Sequence, residues 1–185
     1  MKNNVLTKEK YKVKGAKIIY NKDGTFNRVK IIDNVFKFNN GKSISNIMSY
    51  SVKKYIGNFA YIIESGQKVH LGKDFPKEFA FSKYSQNLPL EIKLAKGRIS
   101  SGIIEIIENA TNRKYSNEKK IKHIKDAKYG FYKYNTNFSF EYNGREQIYE
   151  GTILIRNDAN GKKYLYDVLN IKKIGSNLLP VVSNP

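Results

Sequence analysis

Residues 129–173 decide the fold, and they read YGFYKYNTNFSFEYNGREQIYEGTILIRNDANGKKYLYDVLNIKK. Apolar and polar residues alternate over 129–142, which is the two-residue period of a half-buried β-strand, and residues 147–158 and 162–173 are predicted to form two further strands. Between the last two segments, NDANG (157–161) predicts a hairpin turn rather than a calcium loop, because the remaining calcium ligands are missing. We therefore expect an antiparallel meander in the C-terminal third.

The N-terminal segment predicts more β structure. Residues 16–38 indicate a hairpin with Asp23-Gly24 in its turn, because Asp-Gly is a strong turn signal between two β-rich runs. Residues 35–38 (VFKF) predict a third strand, and residues 49–72 predict several further short strands.

The middle of the chain predicts helices. Asp74 is a typical N-cap and Pro76 falls in the first turn, where its missing N–H does no harm. Residues 90–112 place apolar side chains at spacings of three and four, which predicts an amphipathic helix. Gly97 and Gly102 weaken this helix and predict a break into two. The apolar positions are Ile92, Ala95, Ile99, Ile103, Ile106, Ile107 and Ala110.

The order of segments is β-rich, then helical, then a basic connector at 112–128, then β-rich again. Separate runs of strands and helices indicate an α+β fold class. A chain of 185 residues is long enough for one domain with a small appendage.

The composition favours a polyanionic partner. Lys and Arg total 34 against 16 Asp and Glu, which leaves a formal charge of +18. RNA, DNA or an acidic protein would each match this charge, whereas Lys and Asn enrichment from an AT-rich genome is the alternative explanation. The absence of Cys excludes disulfides and thiolate metal sites, and no apolar run is long enough for a membrane span.

Cofactor signatures are absent from the sequence, so we expect neither a cofactor nor a metal. Metal-free RNA cleavage needs neither, because the RNA's own 2′-OH attacks the adjacent phosphorus. The reaction needs a base, an acid and cations that stabilise the extra negative charge. Glu105 and Glu108 share one helix face but have no third ligand nearby in sequence, and they are predicted to lie on the helix surface.

His123 is the better candidate of the two histidines for proton transfer. A positive field favours a neutral imidazole and gathers phosphates, although an exposed histidine in a solvated basic loop is the alternative. The surrounding cations are Arg113, Lys114, Lys119, Lys120, Lys122 and Lys125. His70 lies at a strand end just before the first predicted helix, and there we expect a structural role.

Several other polar residues each allow a functional and a structural interpretation. Lys83 and Tyr84 line a phosphate site or lie on a helix surface. Tyr132 and Tyr134 share one side of a strand, and one side of that strand packs on the core while the other is free to stack bases. Arg156 is an anion clamp or a strand-end charge beside a turn.

Four blocks in order resemble a known family, and they cover a little over half of the chain. The blocks are 71–88, 103–115, 119–138 and 154–173. Similar blocks occur in large polyvalent proteins of phages and conjugative elements and in related C-terminal toxin modules. Those modules resemble the barnase/EndoU/colicin/RelE-like (BECR) nuclease superfamily.

The resemblance implies central helices followed by a four-stranded antiparallel sheet that carries a metal-independent RNase site. It divides the chain into an N-terminal β-rich extension (1–67), a BECR-like nuclease domain (68–175) and a tail (176–185). The polar residues that it carries over are Arg113, His123, Lys125, Asp126, Tyr132, Arg156 and Asp167.

The expected activity is that of an endoribonuclease toxin that cleaves RNA, with tRNA as one candidate, and leaves a 2′,3′-cyclic phosphate. His123 is the expected base or acid. Tyr132 either positions the substrate or transfers the second proton. The residues expected to stabilise the phosphorane are Lys125, Arg113 and Arg156, and those expected to bind substrate are Lys83, Tyr84, Lys114, Lys122 and Tyr134.

We further expect a monomer that acts in the cytoplasm of a target or host cell, either secreted or delivered as part of a larger protein. An acidic immunity protein is the expected inhibitor, since the charge of +18 favours it. The alternatives are a non-catalytic nucleic-acid-binding module and a protein-interaction domain that docks an acidic partner.

Overall fold

Strands from both ends of the chain form one mixed sheet, and short helices lie between them in sequence. A computed structural model describes residues 15–38, 41–117 and 127–179. The strands in these ranges are β1 (Ala16–Tyr20), β2 (Phe26–Ile31), β3 (Phe59–Tyr61), β4 (Lys68–His70), β5 (Thr111–Ser116), β6 (Phe131–Tyr142), β7 (Arg145–Asn157) and β8 (Lys163–Leu178). The α-helices are α1 (Ile44–Lys53), α2 (Phe75–Phe81), α3 (Lys83–Gln86), α4 (Leu90–Ile99) and α5 (Ile103–Glu108).

The C-terminal meander predicted from residues 129–173 is confirmed. β5, β6, β7 and β8 pair in chain order, and each pair is antiparallel. The turn between β7 and β8 is closed by two backbone hydrogen bonds, from Asp158 N to Lys162 O at 3.0 Å and from Gly161 N to Asp158 O at 3.0 Å. Together with the helices, this arrangement confirms the α+β class.

N-terminal strands extend this sheet at both edges, in the order β1-β2-β6-β7-β8-β4-β3. β2 pairs in parallel with one half of β6, and β5 pairs with the other half of the same edge. The predicted hairpin at 16–38 is confirmed as β1 and β2. β3 pairs with β4 across the expected boundary between residues 67 and 68, so a division there would separate two hydrogen-bonded strands; that division stays a prediction.

The core lies between the helices and the sheet. Apolar side chains from α1, α2, α4 and α5 pack with those of β6, β7 and β8, where strand alternation turns every second side chain toward them. Fully buried members include Met48, Val52, Phe79, Ile99, Ile103, Phe138, Ile153 and Val168. Within the described ranges, no helix is long and apolar enough to cross a bilayer.

Two expected strands are wrong, because turn and helix signals there outweigh β propensity. Residues 35–38 form a 3-10 helix, which the Asn34 side chain starts by accepting a hydrogen bond from Phe36 N at 3.0 Å. Residues 49–53 belong to α1, which Ser43 caps by accepting from Asn46 N at 3.2 Å. The buried side chains of α1 are Ile47, Met48 and Val52, which follow the helical period.

The expected connector at 112–128 is wrong for its first part, because residues 111–116 form β5. This strand lies at an edge of the sheet, and most of its side chains face solvent. A strand without a buried face shows no apolar alternation, so its basic composition resembles that of a loop.

The predicted break in the long central helix is confirmed. α4 ends at Ile99, a 3-10 turn covers Ser100–Gly102, and α5 follows. Gly97 is required by packing, because a Cβ there would lie 2.2 Å from the Phe36 ring. The small residue thus allows the 3-10 segment of 35–38 to pack directly on α4.

A part-buried ion pair fastens the N-terminal hairpin to the meander. Arg28 on β2 donates to both carboxylate oxygens of Glu146 on β7, from Nε at 2.8 Å and from Nη2 at 3.0 Å. Ser139 on β6 donates to the same carboxylate at 2.6 Å. Burial acts to raise the pKa of Glu146, but the hydrogen bonds from Arg28 and Ser139 outweigh it and hold that pKa below its ordinary value of 4.5.

Replacing Arg28 with Met should lower the free energy of unfolding by about 1–3 kcal/mol at pH 7, because a buried carboxylate loses its charged donor. Since the folded pKa of Glu146 lies below its unfolded value, this contribution is present above pH 4.5 and is lost as the pH falls through the folded pKa. Urea unfolding from pH 7 down to pH 3 measures both effects.

The matched control is Lys30→Met, which removes the neighbouring Lys30–Glu141 pair of 2.7 Å. The Glu141 side chain is 51% exposed, so the expected cost is about 0–1 kcal/mol. Equal costs for the two variants, or an Arg28→Met deficit that stays constant down to pH 3, would contradict this account.

Candidate nucleic-acid interface

Two clefts flank the turn between β7 and β8. The larger one, which we call the histidine cleft, has a volume of about 500 Å³ and lies between β4, the start of α2 and the paired ends of β7 and β8. Besides the Asn58 amide, its polar lining comprises one imidazole, three cations, three carboxylates and two phenols. They are His70, Lys73, Lys162, Arg156, Asp74, Glu78, Asp158, Tyr164 and Tyr166.

Strand register places the central groups of this cleft side by side. His70 is the cross-strand partner of Tyr164, and Tyr164 is the cross-strand partner of Arg156. Partners directly opposite each other project from the same face of a sheet. The His70 and Tyr164 rings accordingly have centroids 5.6 Å apart, and the Arg156 guanidinium carbon lies 5.8 Å from the Tyr164 centroid.

The Arg156 guanidinium is held in a fixed orientation. Its Nε donates to Asp158 Oδ1 at 2.5 Å and its Nη2 donates to Asp158 Oδ2 at 3.2 Å. It also lies 5.8 Å from the ring centroids of both Tyr164 and Tyr166. Burial, followed by the nearby Glu78 carboxylate, raises the pKa of Tyr166, so its phenol stays protonated. Asp158 thus fixes the guanidinium and offsets part of its charge.

The environment of His70 favours its neutral form. Burial is the largest cause that lowers the pKa of His70 below 6.5, and the charges of Lys68 and Lys162 lower it further. The half-buried ring also contacts the Phe59 ring, with centroids 6.1 Å apart. A neutral imidazole can accept a proton, so His70 has the charge state that a general base needs.

The second cleft, which we call the tyrosine cleft, has a volume of about 330 Å³ and shares Asp158 with the histidine cleft. Three tyrosines form most of its wall. Its lining is Tyr115, Tyr129, Tyr132, Asn157, Asp158, Gly161 and Lys163.

Of the residues expected to act in catalysis, Tyr132 lines the tyrosine cleft, and Arg113 lies beside the Tyr132 ring. The Arg113 guanidinium carbon lies 5.3 Å from the centroid of the Tyr132 ring. Lys114 is exposed on the same strand as Arg113. Tyr134 is different: it is fully buried, and its phenol bonds to Ser65 at 2.9 Å and to Gln67 at 2.7 Å. A nucleobase therefore cannot stack on the ring of Tyr134 in the folded chain.

Lys83 and Tyr84 lie apart from both clefts. Lys83 is exposed at the start of α3, whereas the Tyr84 hydroxyl accepts a hydrogen bond from Ile171 N at 2.9 Å. The Tyr84 ring also lies 5.0 Å from Lys96 Nζ. The Tyr84 hydroxyl is therefore hydrogen-bonded to the backbone of β8.

Asp167 belongs to a buried polar network. Lys96 Nζ lies 2.5 Å from Asp167 Oδ1 and donates to Ser85 Oγ at 2.6 Å, and both charged side chains have at most 2% exposure. Ser82 donates to the second carboxylate oxygen at 3.1 Å. Burial lowers the pKa of Lys96 and raises that of Asp167, while their contact favours the ionised pair. This network joins α2, α3 and α4 to β8, so Asp167 has a structural role here.

His123, Lys122, Lys125 and Asp126 lie outside the described residues. The expectation that this segment supplies the imidazole and its cations therefore stays a prediction.

Sequence reasoning missed Lys96 of the buried network and several members of the two clefts. Lys96 carried a usable signal, since it lies four residues after Ile92 and three before Ile99, on the apolar face of the predicted helix. Tyr164 and Lys162 carried none, because a strand-end tyrosine beside a lysine is common on any surface. His70 was expected to be structural, and the structure places it in the larger cleft.

Comparison of the chain with protein-family models, with curated proteins and with solved structures found no match. Within the described ranges, no cluster of three or more His, Asp or Glu side chains could hold a metal ion.

Proposed function

We propose that this chain is a metal-independent endoribonuclease whose reaction centre is the histidine cleft. The observation that carries the proposal is the row of His70, Tyr164 and Arg156 on three adjacent strands, in which the imidazole and the guanidinium lie on either side of the phenol. These three groups are of the chemical types that cleavage by the 2′-OH requires.

The proposed reaction is a transesterification. His70 accepts the proton of the 2′-OH while the 2′-oxygen forms a bond to phosphorus. The bond between phosphorus and the 5′-oxygen breaks, and that oxygen takes a proton from Tyr164. The Tyr164 hydroxyl accepts a long hydrogen bond from Asn160 Nδ2 at 3.5 Å, which leaves its own proton for donation. The products are a 2′,3′-cyclic phosphate and a free 5′-hydroxyl.

Cations of the cleft stabilise the charge that develops on the phosphorane. Arg156 is the best placed of these, because Asp158 and two tyrosines hold it in a fixed orientation. Lys73 and Lys162 line the same cleft and add positive charge. Preoriented donors of this kind stabilise a transition state without reorganising during the reaction.

The resemblance to toxin modules of the BECR type supports the class of reaction and the role of Arg156, whereas it implies His123 rather than His70 as the imidazole. Four consecutive antiparallel strands, β5 to β8, follow the helices, as that resemblance implies. A toxin of this class requires an inhibitor in the cell that makes it. Because this chain has a formal charge of +18, electrostatics favours an acidic immunity protein as that inhibitor.

The test is incubation of the purified protein with total RNA in EDTA, followed by analysis of the RNA ends. We expect discrete cuts that end in 2′,3′-cyclic phosphate, because the mechanism needs the 2′-OH but no metal. An oligonucleotide of the same sequence with a 2′-deoxy sugar at the cut is the matched control, and it should remain intact. Cleavage of the deoxy control would contradict the mechanism.

A non-catalytic nucleic-acid-binding module is the second candidate, and one observation favours it. Arg156 is already paired with Asp158, and two further carboxylates, Asp74 and Glu78, line the same cleft and repel phosphate. Under this alternative the protein binds RNA at low salt and leaves it intact. Absence of both cleavage and binding would instead favour a protein-interaction domain.

A further inference from the structure

The tyrosine cleft offers aromatic faces that the fold leaves accessible. Tyr115 is 56% exposed and Tyr129 is 51% exposed, although large aromatic rings are usually buried. The Tyr115 and Tyr132 rings have centroids 5.5 Å apart and are tilted by 59°. Tilted rings cover less of each other's faces than stacked rings do, so aromatic surface stays available to a planar ligand.

The walls of this cleft are held in place by main-chain contacts. The Tyr129 carbonyl accepts from the Tyr115 hydroxyl at 3.0 Å and from Asn157 Nδ2 at 3.3 Å. Tyr129 N donates to the Asn157 carbonyl at 3.2 Å. Gly130 follows with a φ of 78°, and a Cβ there would lie 2.5 Å from Ser116 O. The tyrosines are thus oriented before any ligand arrives, which lowers the entropic cost of binding.

Cations border the aromatic surface. Arg113 lies over the Tyr132 ring, and Lys128 Nζ lies 5.5 Å from the centroid of the Tyr129 ring. Lys163 lines the cleft itself. Aromatic faces interleaved with cations are the arrangement that binds single-stranded nucleic acid, since the rings stack on bases and the cations attract phosphates.

We propose that the tyrosine cleft binds an unpaired base of single-stranded RNA, next to the nucleotide that is cut in the histidine cleft. The position of this base next to the cleaved nucleotide rests on the proposed function, whereas the binding of the base does not. Because Asp158 lines both clefts, a strand that passes around the β7–β8 turn can occupy both. Duplex RNA is excluded from the base site, because its bases are stacked inside the helix.

The test measures the affinity of a fluorescently labelled ten-nucleotide RNA for the full chain, with the same RNA annealed to its complement as a second ligand. Each nucleotide carries a 2′-O-methyl group, which blocks attack by the 2′-oxygen, so binding is measured without cleavage. Tyr129→Ala and Tyr115→Ala should each weaken single-strand binding by about 5- to 100-fold, since stacking on one base contributes about 1–3 kcal/mol. Tyr129→Phe keeps the ring and should stay within about twofold of the wild type.

The matched control is Tyr142→Ala, because Tyr142 is similarly exposed at 57% but lies at the far end of β6. It should bind the single strand as the wild type does, and circular dichroism checks that all variants are folded. An equal loss in Tyr142→Ala overturns the inference, because the loss is then not specific to the cleft. Equal losses for single-stranded and duplex ligands also overturn it, because binding then does not need an unpaired base.

Cleavage is followed separately on a ribonucleotide substrate, so the two proposals fail in different ways. If the wild type cleaves RNA but Tyr129→Ala binds normally, the base site is wrong and the nuclease stands. If the tyrosine variants lose binding but the wild type cleaves nothing, the base site stands and the nuclease is wrong. If the wild type binds no single-stranded RNA at low salt, both are overturned.

Discussion

His70→Ala should lower the rate of RNA cleavage by about 100-fold or more, while RNA binding stays within a few-fold of the wild type. The expectation follows from the cleft, where the imidazole has the neutral form that accepts the 2′-OH proton and lies beside Tyr164 and Arg156. Single-turnover cleavage measures the rate, and an RNA whose 2′-oxygens are methylated measures the binding. Tyr164→Phe removes the proton donor but keeps the ring, and it should also reduce cleavage without loss of binding.

The pH profile supplies a readout that a merely structural histidine would not change. A general base acts when it is deprotonated, so kcat/KM should fall as the pH drops through the pKa of His70, which lies below 6.5. Burial and the charges of Lys68 and Lys162 cause that lowering. Replacing both lysines with Met should therefore raise this pKa and move the acid limb of the profile to higher pH.

His123→Ala is the matched control, because His70 and His123 are the only histidines in the chain. It tests the sequence prediction with the same substitution. If His123→Ala abolishes cleavage and His70→Ala does not, the reaction centre lies in the basic segment and the histidine cleft is wrong as its location. If both single variants cleave RNA at the wild-type rate, neither imidazole is an essential base.

Lys96→Ala should lower the free energy of unfolding by about 3–5 kcal/mol, because it leaves the Asp167 carboxylate buried without its cation. The unpaired carboxylate takes a proton more readily, so the folded pKa of Asp167 rises further above its unfolded value of 3.8. The variant's deficit should therefore be largest near neutral pH and should shrink on acidification toward pH 4. Urea unfolding at several pH values measures this dependence.

Two comparisons show whether the loss comes from the broken ion pair. Lys77→Ala removes an exposed lysine from α2, and its cost should stay within about 0.5 kcal/mol. The double variant Lys96→Met/Asp167→Leu replaces both charges with apolar groups, and it should recover most of the stability lost by Lys96→Ala. A double variant as unstable as the sum of the two single variants would show that the pair is not coupled.

The parts of the fold with a regular local pattern were predictable. The alternation over residues 129–142 belongs to one strand, and the NDANG turn belongs to one hairpin. In both cases the whole signal comes from residues that are neighbours in sequence. The helix break near Gly97 and Gly102 was predictable for the same reason. β5 was not, because it is a strand through its hydrogen bonds to β6 and shows no buried face of its own.

The candidate site was less predictable than the fold. Arg113, Tyr132 and Arg156 were selected from charge and strand position. The structure places Tyr132 in the tyrosine cleft with Arg113 beside its ring, and Arg156 in the histidine cleft. His70 received a structural interpretation, since a lone histidine at a strand end has no local feature that indicates a cleft. Its importance comes from neighbours on β7 and β8 that are distant in sequence.

The α+β class, the meander, the large positive charge and the abundance of tyrosine follow from the residues alone, because they depend on composition and on short-range periodicity. Which side chains meet depends on the tertiary structure. The pairing of β4 with β8 brings His70 to Tyr164, and the packing of α4 brings Lys96 to Asp167. Strand register and helix packing depend on contacts between residues that are distant in sequence. A local pattern of residue types shows that a strand or helix has a face to bury, but it does not show which distant residues cover that face.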